Sequence, residues 1–436
     1  MIPAGLIAVG ALLFFSANQA DTGTELWVSD SAGARLVKDI RPGHRGSYPS
    51  AKAALNDRLF FVANDGVSGA ELWSSDGTAA GTTLLKDVNA GAEDSTPSAL
   101  TAKGHTLFFV ANDGTHGFEL WKTQGSANTT SLVADIVPGP QGSTPRQLTA
   151  VGDKLFFRAT RGDSGTELWV SDGTEAGTRL VKDINAGPED SAPEQLTAAG
   201  SLLFFVAFDA SRGAELWRSD GTLAGTINIK DIRVGTDGSR PRYLSAIGTS
   251  IGSTMYFQAA SKKTGSELWR SDGTAAHTQI VKDIRPGLEG SFPSHLVEVN
   301  GELFFTATDG AHGVELWKSD GTAVGTSMIR DISPGLASAS PGQLRAIGSQ
   351  LYFSASDGES GWEPFRSDGT AHGTVRLADL RQGRDSSYPN HFSPFHSSIA
   401  FIADDDAGVE HIWILDAKHQ ATILGERPAT PASSVE

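Results

Sequence analysis

The sequence predicts an all-β fold, a β-propeller of four-stranded antiparallel blades. Three observations predict it. One phrase recurs: Glu-Leu-Trp, two residues, then Asp-Gly-Thr, as in Glu71-Leu72-Trp73 with Asp76-Gly77-Thr78, and again from Glu167, Glu215, Glu267 and Glu315. Degraded copies begin at Glu25, Glu119 and Glu363. The aromatic position falls at Trp27, Trp73, Trp121, Trp169, Trp217, Trp269, Trp317, Phe365 and Trp413, so the period is about 48 residues, a mark of repeat architecture. Each period also holds four strand-like segments separated by turn residues, the content of one blade. Finally, no stretch of ten or more residues carries helical periodicity, which excludes helical solenoids. The coils of a β-helix are shorter and lack four turn signals per unit.

The unit from Pro193 to Gly238 shows the elements in order. Gln195 to Ala199 alternates loosely and turns at Gly200-Ser201. Leu202 to Ala207 is an apolar run, the pattern of a strand buried on both faces, as in a blade held between neighbours. Phe208 to Gly213 is a loop, and Glu215 to Ser219 a third strand. At Asp220-Gly221-Thr222 the glycine can take positive φ and the aspartate can bond the backbone two residues on. Thr226 to Ile232 reads as the fourth strand, followed by a loop closing at Pro241. In the outer hairpin of the preceding unit, the favoured register sets Glu167 opposite Lys182, Leu168 opposite Val181, Trp169 opposite Leu180 and Ser171 opposite Thr178. A one-residue slip would oppose Glu167 and Asp183, and such pairs matter by roughly 0.2–1 kcal/mol. This register predicts salt bridges Glu71–Lys86, Glu167–Lys182, Glu215–Lys230 and Glu267–Lys282.

Nine units fit, beginning near Ile2, Tyr48, Thr96, Thr144, Ala192, Arg240, Phe292, Ser340 and Tyr388. Eight closed blades are the alternative. The sixth unit has four extra residues around Thr249 to Ser253, and the ninth is the most degraded, as terminal repeats usually are. Residues 2–425 form a single propeller in this reading. Residues 426–436, rich in Pro, Ala and Ser, read as a disordered tail. The apolar stretch Ile2 to Phe15 resembles a signal peptide, yet no Lys or Arg precedes Arg35, and Leu6 to Trp27 aligns without a gap on Leu148 to Trp169. It is therefore read as the first two strands of blade 1. No other apolar run approaches the ~20 residues of a membrane span.

A net charge of -16 over 436 residues argues against nucleic acid and anionic membranes as partners. The absence of cysteine excludes disulfides, cysteine zinc sites and cysteine nucleophiles.

With these motifs, and with Leu155-Phe156-Phe157 and Lys182-Asp183-Ile184, the chain resembles the bacterial ELWxxDGT repeat proteins, often labelled hyalin-like. The resemblance runs from Leu6 to about Gly425. It implies a secreted or cell-envelope protein and brings no agreed activity with it.

Most recurring residues have structural readings. The phrase glutamate is explained by the cross-strand pair. Asp39, Asp87, Asp135, Asp183, Asp231, Asp283, Asp331 and Asp379 suit a turn or capping role. The loops Asn64-Asp65-Gly66, Asn112-Asp113-Gly114, Asp309-Gly310 and Asp357-Gly358 are rich enough in oxygen for Ca²⁺, but no unit has the spacing of a known calcium loop, and turn chemistry explains them. His391, His396, His411 and His419, with Asp404 to Asp406 and Glu410, match no metal motif and read as drift in an end blade. No cofactor is expected, Ca²⁺ being the one ion considered. There is no nucleophile elbow, phosphate loop or dinucleotide fingerprint.

What varies between units is the loop after the fourth strand, expected on the same face as the Asp-Gly loops. Its candidate ligand-binding residues are Arg41, Tyr48, Arg285, Phe292, Arg381 and Tyr388. The sequence thus favours a non-enzymatic binding propeller for a glycan or protein ligand, with no catalytic residue and no metal site assigned. The alternative is a carbohydrate-active hydrolase or lyase. It would need carboxylates, His, Tyr and Arg converging at the channel mouth, with a perturbed acid among them.

Overall fold

Neighbouring residues in a strand point to opposite faces, so a Phe-Phe pair buries one ring on each side of a blade. In the computed structural model, which describes residues 3–30, 33–249 and 252–424, this pair organises the molecule. Phe14 of blade 1 packs with Phe61 of blade 2, Phe60 with Phe109, Phe108 with Phe157, and Phe156 with Phe205. The series continues with Phe204 and Phe257, Tyr256 and Phe305, Phe304 and Phe353, and Tyr352 and Phe401. The core is therefore a set of seams between blades, each also holding the phrase tryptophan or its counterpart from one blade.

Nine four-stranded antiparallel sheets form the ring, each built from consecutive strands in the order first to fourth. Blade 1 comprises Pro3–Val9, Leu12–Gln19, Gly23–Asp30 and Gly33–Lys38. Blade 9 comprises Asn390–Phe395, Ser398–Asp404, Glu410–Leu415 and Ala421–Ile423. First strands of successive blades adjoin around the centre, and those of blades 1 and 9 adjoin each other. The ring is thus closed at nine, and the apolar N-terminal stretch does form the two inner strands of a blade. Residues 426–436, expected as a tail, lie outside the described residues.

Closure involves no strand exchange between the chain ends, since every sheet is drawn from one unit. The closing seam is apolar: Leu13, Phe15, Ala17 and Trp27 meet Phe395, Ala400, Ile402 and Ile412. Ala400 stands where other blades place the first aromatic of the pair, and Phe395, at the end of the first strand, supplies the missing bulk.

The predicted Glu–Lys pairs are not formed. A register shift between Leu168 and Trp169 sets Leu168 opposite Lys182 and Trp169 opposite Leu180, leaving Val181 unpaired. Such a bulge re-aims the side chains on either side of it. Lys182 turns to the next blade, where its Nζ donates to Thr226 O at 3.0 Å and lies 5.6 Å from the Trp217 ring centroid. Lys86, Lys230 and Lys282 likewise donate to Thr130 O, Thr278 O and Thr326 O. Each is a strap between blades, reinforced at Lys182 and Lys86 by cation–π attraction of about 0.5–1 kcal/mol. The expected Leu168–Val181 pair is lost at the bulge, while beyond it Trp169 stands opposite Leu180 as expected and Ser171 contacts Thr178 through their hydroxyls at 2.8 Å.

The glutamate is instead fully buried, 0% exposed at Glu167. Its carboxylate accepts hydrogen bonds from Ile184 N (3.0 Å), Ser191 N (2.9 Å) and Ser191 Oγ (2.6 Å). It staples the third strand to both ends of the loop that leads into the next blade. Seven counterparts do the same; at Glu315 the serine is replaced by Ala339, and only backbone donors remain.

Turn chemistry is as expected. Asp220 Oδ1 accepts from Thr222 N at 2.8 Å, with Gly221 at φ 89. Asp183 caps Gly187 N at 3.1 Å, and Asp65 takes Val67 N and Ser68 N. The fourth strand of blade 5 is shorter than predicted, Ile227–Asn228, because Ile229 N turns to Leu216 O at 3.0 Å.

Two predictions follow from the seams and staples. Phe395→Ala should destabilise the protein by about 3–5 kcal/mol and make it self-associate, because the opened seam exposes two blade faces. Chemical denaturation with size-exclusion chromatography checks this; an unchanged monomer of unchanged stability would reject packing as the closure. The second concerns pH. Burial, partly offset by the hydrogen bonds, raises the pKa of Glu25, Glu71, Glu119, Glu167, Glu215, Glu267 and Glu363 above the usual 4.5. Glu315 shifts the same way. The folded state then keeps carboxyl protons to higher pH than the unfolded chain, so stability should fall as pH rises from about 4.5 toward neutrality. Urea unfolding between pH 4.5 and 7 measures the slope, and a rise across this window would contradict it.

Candidate functional site

Because the buried glutamate holds each inter-blade loop at both ends, the loop can carry strain. The residue before each loop's proline takes a left-handed backbone: Tyr48, Thr96, Thr144, Ala192, Arg240, Phe292, Ser340 and Tyr388 have φ between 43° and 52°. Proline disfavours compact conformations in the residue before it, and side chains disfavour positive φ, so these positions persist only where the surroundings impose them. The imposing contact recurs: Tyr48 N donates to Thr24 O, Arg240 N to Ala214 O, Phe292 N to Ser266 O and Tyr388 N to Trp362 O, at 3.0–3.2 Å.

The sequence-predicted residues sit on these loops, all on one face. Tyr48, Phe292 and Tyr388 are 63%, 55% and 58% exposed. The arginines do different work. Arg41 packs against Gly66 and Arg285 against Gly310, on the next blade's Asp-Gly loop, where a side-chain carbon would stand 3.0 and 2.8 Å from the guanidinium nitrogen. Arg285 pairs with Glu289, and Arg381 with Asp385 at 3.6 Å. The six residues are spread over three loops, and among the described residues no hydrogen bond or ion pair joins one loop's members to another's. Tyr388 gains a partner missed in the sequence: Trp362 stacks on it at 6.3 Å between centroids and 17° between planes, and is 38% exposed. Its signal was an aromatic at a position that holds small or aliphatic residues such as Ala70, Thr166 or Ser266 in every other unit except the third, which has Phe118.

Three residues further along each unit lies a second left-handed ring, at the start of the innermost strand. It comprises Gly5, Ala51, Ala99, Gln147, Gln195, Tyr243, His295, Gln343 and His391, with φ of 44–64°. A register shift accompanies it in each first strand, as between Ser294 and Val297. Small residues occupy blades 1–3, and amides, imidazoles and a phenol occupy blades 4–9. Some members brace the ring: Gln195 Nε2 donates to Pro241 O at 3.2 Å and Leu196 N donates to Gln147 Oε1 at 3.4 Å.

Along blades 7, 8, 9 and 1 this wall opens into a channel cavity of about 680 Å³. Its polar groups are His295, Gln343, Arg345, His391 and Ser393, set among Leu6, Leu344 and Phe392. Burial lowers the pKa of both histidines, and the Lys52 ammonium lowers that of His391 further. Both are therefore neutral at pH 7. Nδ1 of His295 faces Ser294 Oγ at 3.3 Å and Nδ1 of His391 contacts the Asn390 side-chain oxygen, while neither Nε2 has a protein partner among the described residues. A neutral imidazole with one nitrogen free, an amide and a guanidinium can bind hydroxyl-bearing ligands. Among the described residues no Asp or Glu lines this cavity. The acids with raised pKa belong instead to the staples, apart from Glu410, which faces Asp404 across the second and third strands of blade 9. His411 pairs with Asp405 at 3.0 Å, away from His391, and among the described residues no three His, Asp or Glu side chains form a metal set.

Lys52 breaks the repeat. Its position holds Leu6, Leu100, Leu148, Leu196, Leu244, Leu296, Leu344 and Phe392 in the other blades. The ammonium donates to Ser16 Oγ at 2.7 Å and Pro49 O at 3.4 Å, and it fills the space beside Gly5, where a side-chain carbon would lie 3.1 Å away. It faces an open cavity of about 610 Å³ shared with Tyr48. Burial lowers its pKa to about 8.

No protein-family model matches the chain, and no curated protein matches it. Solved structures similar to it include a puromycin hydrolase S511A mutant complexed with PGG, at 14% identity and a TM-score of 0.40. That match covers 84% of this chain and 58% of that one. A prolyl endopeptidase structure is 12% identical with a TM-score of 0.43, covering 84% of this chain and 54% of its own. The β-propeller domain of the trilobed protease from Pyrococcus furiosus is 12% identical, TM-score 0.38, covering 76% of this chain and 99% of its own. The chain thus spans little more than half of the two peptidases, and likenesses this low say nothing of its chemistry.

Lys52 yields a prediction. An amine-reactive reagent should modify it half-maximally near pH 8, well below ordinary lysines. Peptide mass spectrometry across pH 7–10 reads this directly, and labelling that tracks exposed lysines at every pH would refute the depressed pKa.

Proposed function

We propose that the chain is a non-enzymatic binding propeller that recognises a glycan at its channel mouth. One observation carries this reading. Around the inner ring the backbone repeats the same left-handed turn blade by blade, strained in blades 2–9 where no glycine relieves it, while the side chains it presents range from Ala to Gln, Tyr and His. Strain that is kept while side chains diverge suits a surface shaped for one ligand. The groups presented, neutral imidazoles, an amide and a guanidinium, are those that bond sugar hydroxyls, and the Trp362–Tyr388 stack on the same face offers an aromatic platform. Among the described residues the cavity lining holds no carboxylate, and this favours binding over glycoside hydrolysis, which takes a pair of them. Membership of the ELWxxDGT repeat proteins, with a secreted or cell-envelope location, is part of the proposal. Among the described residues no helix is long and apolar enough to cross a membrane.

A glycan array, run with Ca²⁺ and with chelator, tests the reading, followed by product analysis on every ligand found. The expected result is binding without turnover, weakened roughly tenfold or more by combining Gln343→Ala with His391→Ala. Cleavage of a bound glycan would replace this reading by the hydrolase or lyase alternative, and a ligand unaffected by the double variant would move the site elsewhere.

A further inference from the structure

We propose that the groove over blade 6, on the loop face, binds an acidic glycan, one whose sugars carry carboxylate or sulfate groups. This rests on the glycan reading above and adds a second site with its own chemistry. Two cavities adjoin there, of about 470 and 430 Å³, sharing Arg233, Ala260, Ser266 and Phe292 in their walls. Arg240 and Arg242 line the first, and Lys262 the second.

Charge accounting distinguishes this groove. Its two acids are already neutralised, Asp237 by Arg233 at 3.5 Å and Glu289 by Arg285. Among the described residues, Arg240, Arg242 and Lys262 have no carboxylate partner, Lys262 being held only by Val234 O at 2.7 Å. Three cations thus remain in excess in one groove of a chain whose net charge is -16. The repeat shows that the scaffold does not require them. The positions of Arg240 and Arg242 hold Tyr48 and Ser50, Thr96 and Ser98, or Phe292 and Ser294 in other blades, and no other unit places cations at both. Arg240 is moreover fixed in the strained pre-proline turn, φ 50°, which holds its backbone in place before any ligand arrives.

Guanidinium groups take carboxylate and sulfate oxygens through paired N–H donors. The exposed ring of Phe292, in the wall common to both cavities, supplies the apolar face on which a sugar ring can lie. Cations spaced along a groove, with an aromatic between them, suit a chain with regularly placed charges better than a single small anion.

The test uses the full chain and calorimetric titration with three oligosaccharides of equal length: an oligouronate, a sulfated one and a neutral one. The combined Arg240→Gln and Arg242→Gln variant should weaken binding of the acidic ligands roughly tenfold or more, and added salt should weaken it in the native protein. Arg45→Gln with Arg384→Gln removes equal charge from exposed loops on the same face and should leave affinity unchanged. The uronate and sulfate arms tell which anion is preferred. Equal weakening by both double variants, or acidic binding that ignores Arg240 and Arg242, would overturn the proposal, as would failure of both acidic ligands to bind. If a neutral glycan still binds at the channel, only this inference falls; if no glycan binds anywhere, the reading it rests on falls too.

Discussion

A blade of this protein is one sheet thick and apolar on both sides, so it cannot exist without two neighbours. Everything else in the structure depends on that constraint. Phe14 and Phe15, adjacent in sequence, commit to different seams, and each seam joins the first aromatic of one blade to the second of the next. The only arrangement of such units that leaves no bare face is a ring. Closure at Phe395 and Ala400 is then not a special lock. It is one more seam of the same kind, with its bulk supplied from a different strand.

Upon this scaffold the chain separates what repeats from what varies. The buried glutamate has no ligand to bind; its partners are the backbone and serine of the loop that enters the next blade. By fixing the loop at both ends it allows two left-handed residues, three positions apart, that a free loop would relax. Those turns present Tyr48, Arg240, Phe292 and Tyr388 at the rim and Gln343, His295 and His391 at the channel. Rigidity below and diversity above are both needed, and the same carboxylate serves every blade except the last.

How much of this could be read from sequence follows from the range of each interaction. The period is a pattern of the sequence itself, and the turns and the Ser171–Thr178 contact join residues within seven positions of each other, so all three were legible. The role of Glu167 was not, because its partner lies 24 residues on, beyond the neighbouring strand. Lys182 was misread for a similar reason: its partner carbonyl is 44 residues away, in another blade. A register argument that assumed an unbroken ladder paired two residues that a bulge between Leu168 and Trp169 had turned apart. The channel residues were hidden differently. His391 reads as drift in a degraded unit, and Lys52 belongs to no motif, since neither lies in the recurring phrase. Only their shared place in the innermost strands reveals them, and that place becomes evident once Lys52 is set beside Leu100 and Leu148.

The contiguity of each blade has a consequence for the chain as a linear object. No sheet borrows a strand from the other end, so the present termini are not architecturally privileged. A circular permutant that joins the ends and opens the backbone between any two units would contain the same nine sheets and the same nine seams. The order in which blades are synthesised, and which seam forms last, is therefore a property of the gene and not of the folded protein.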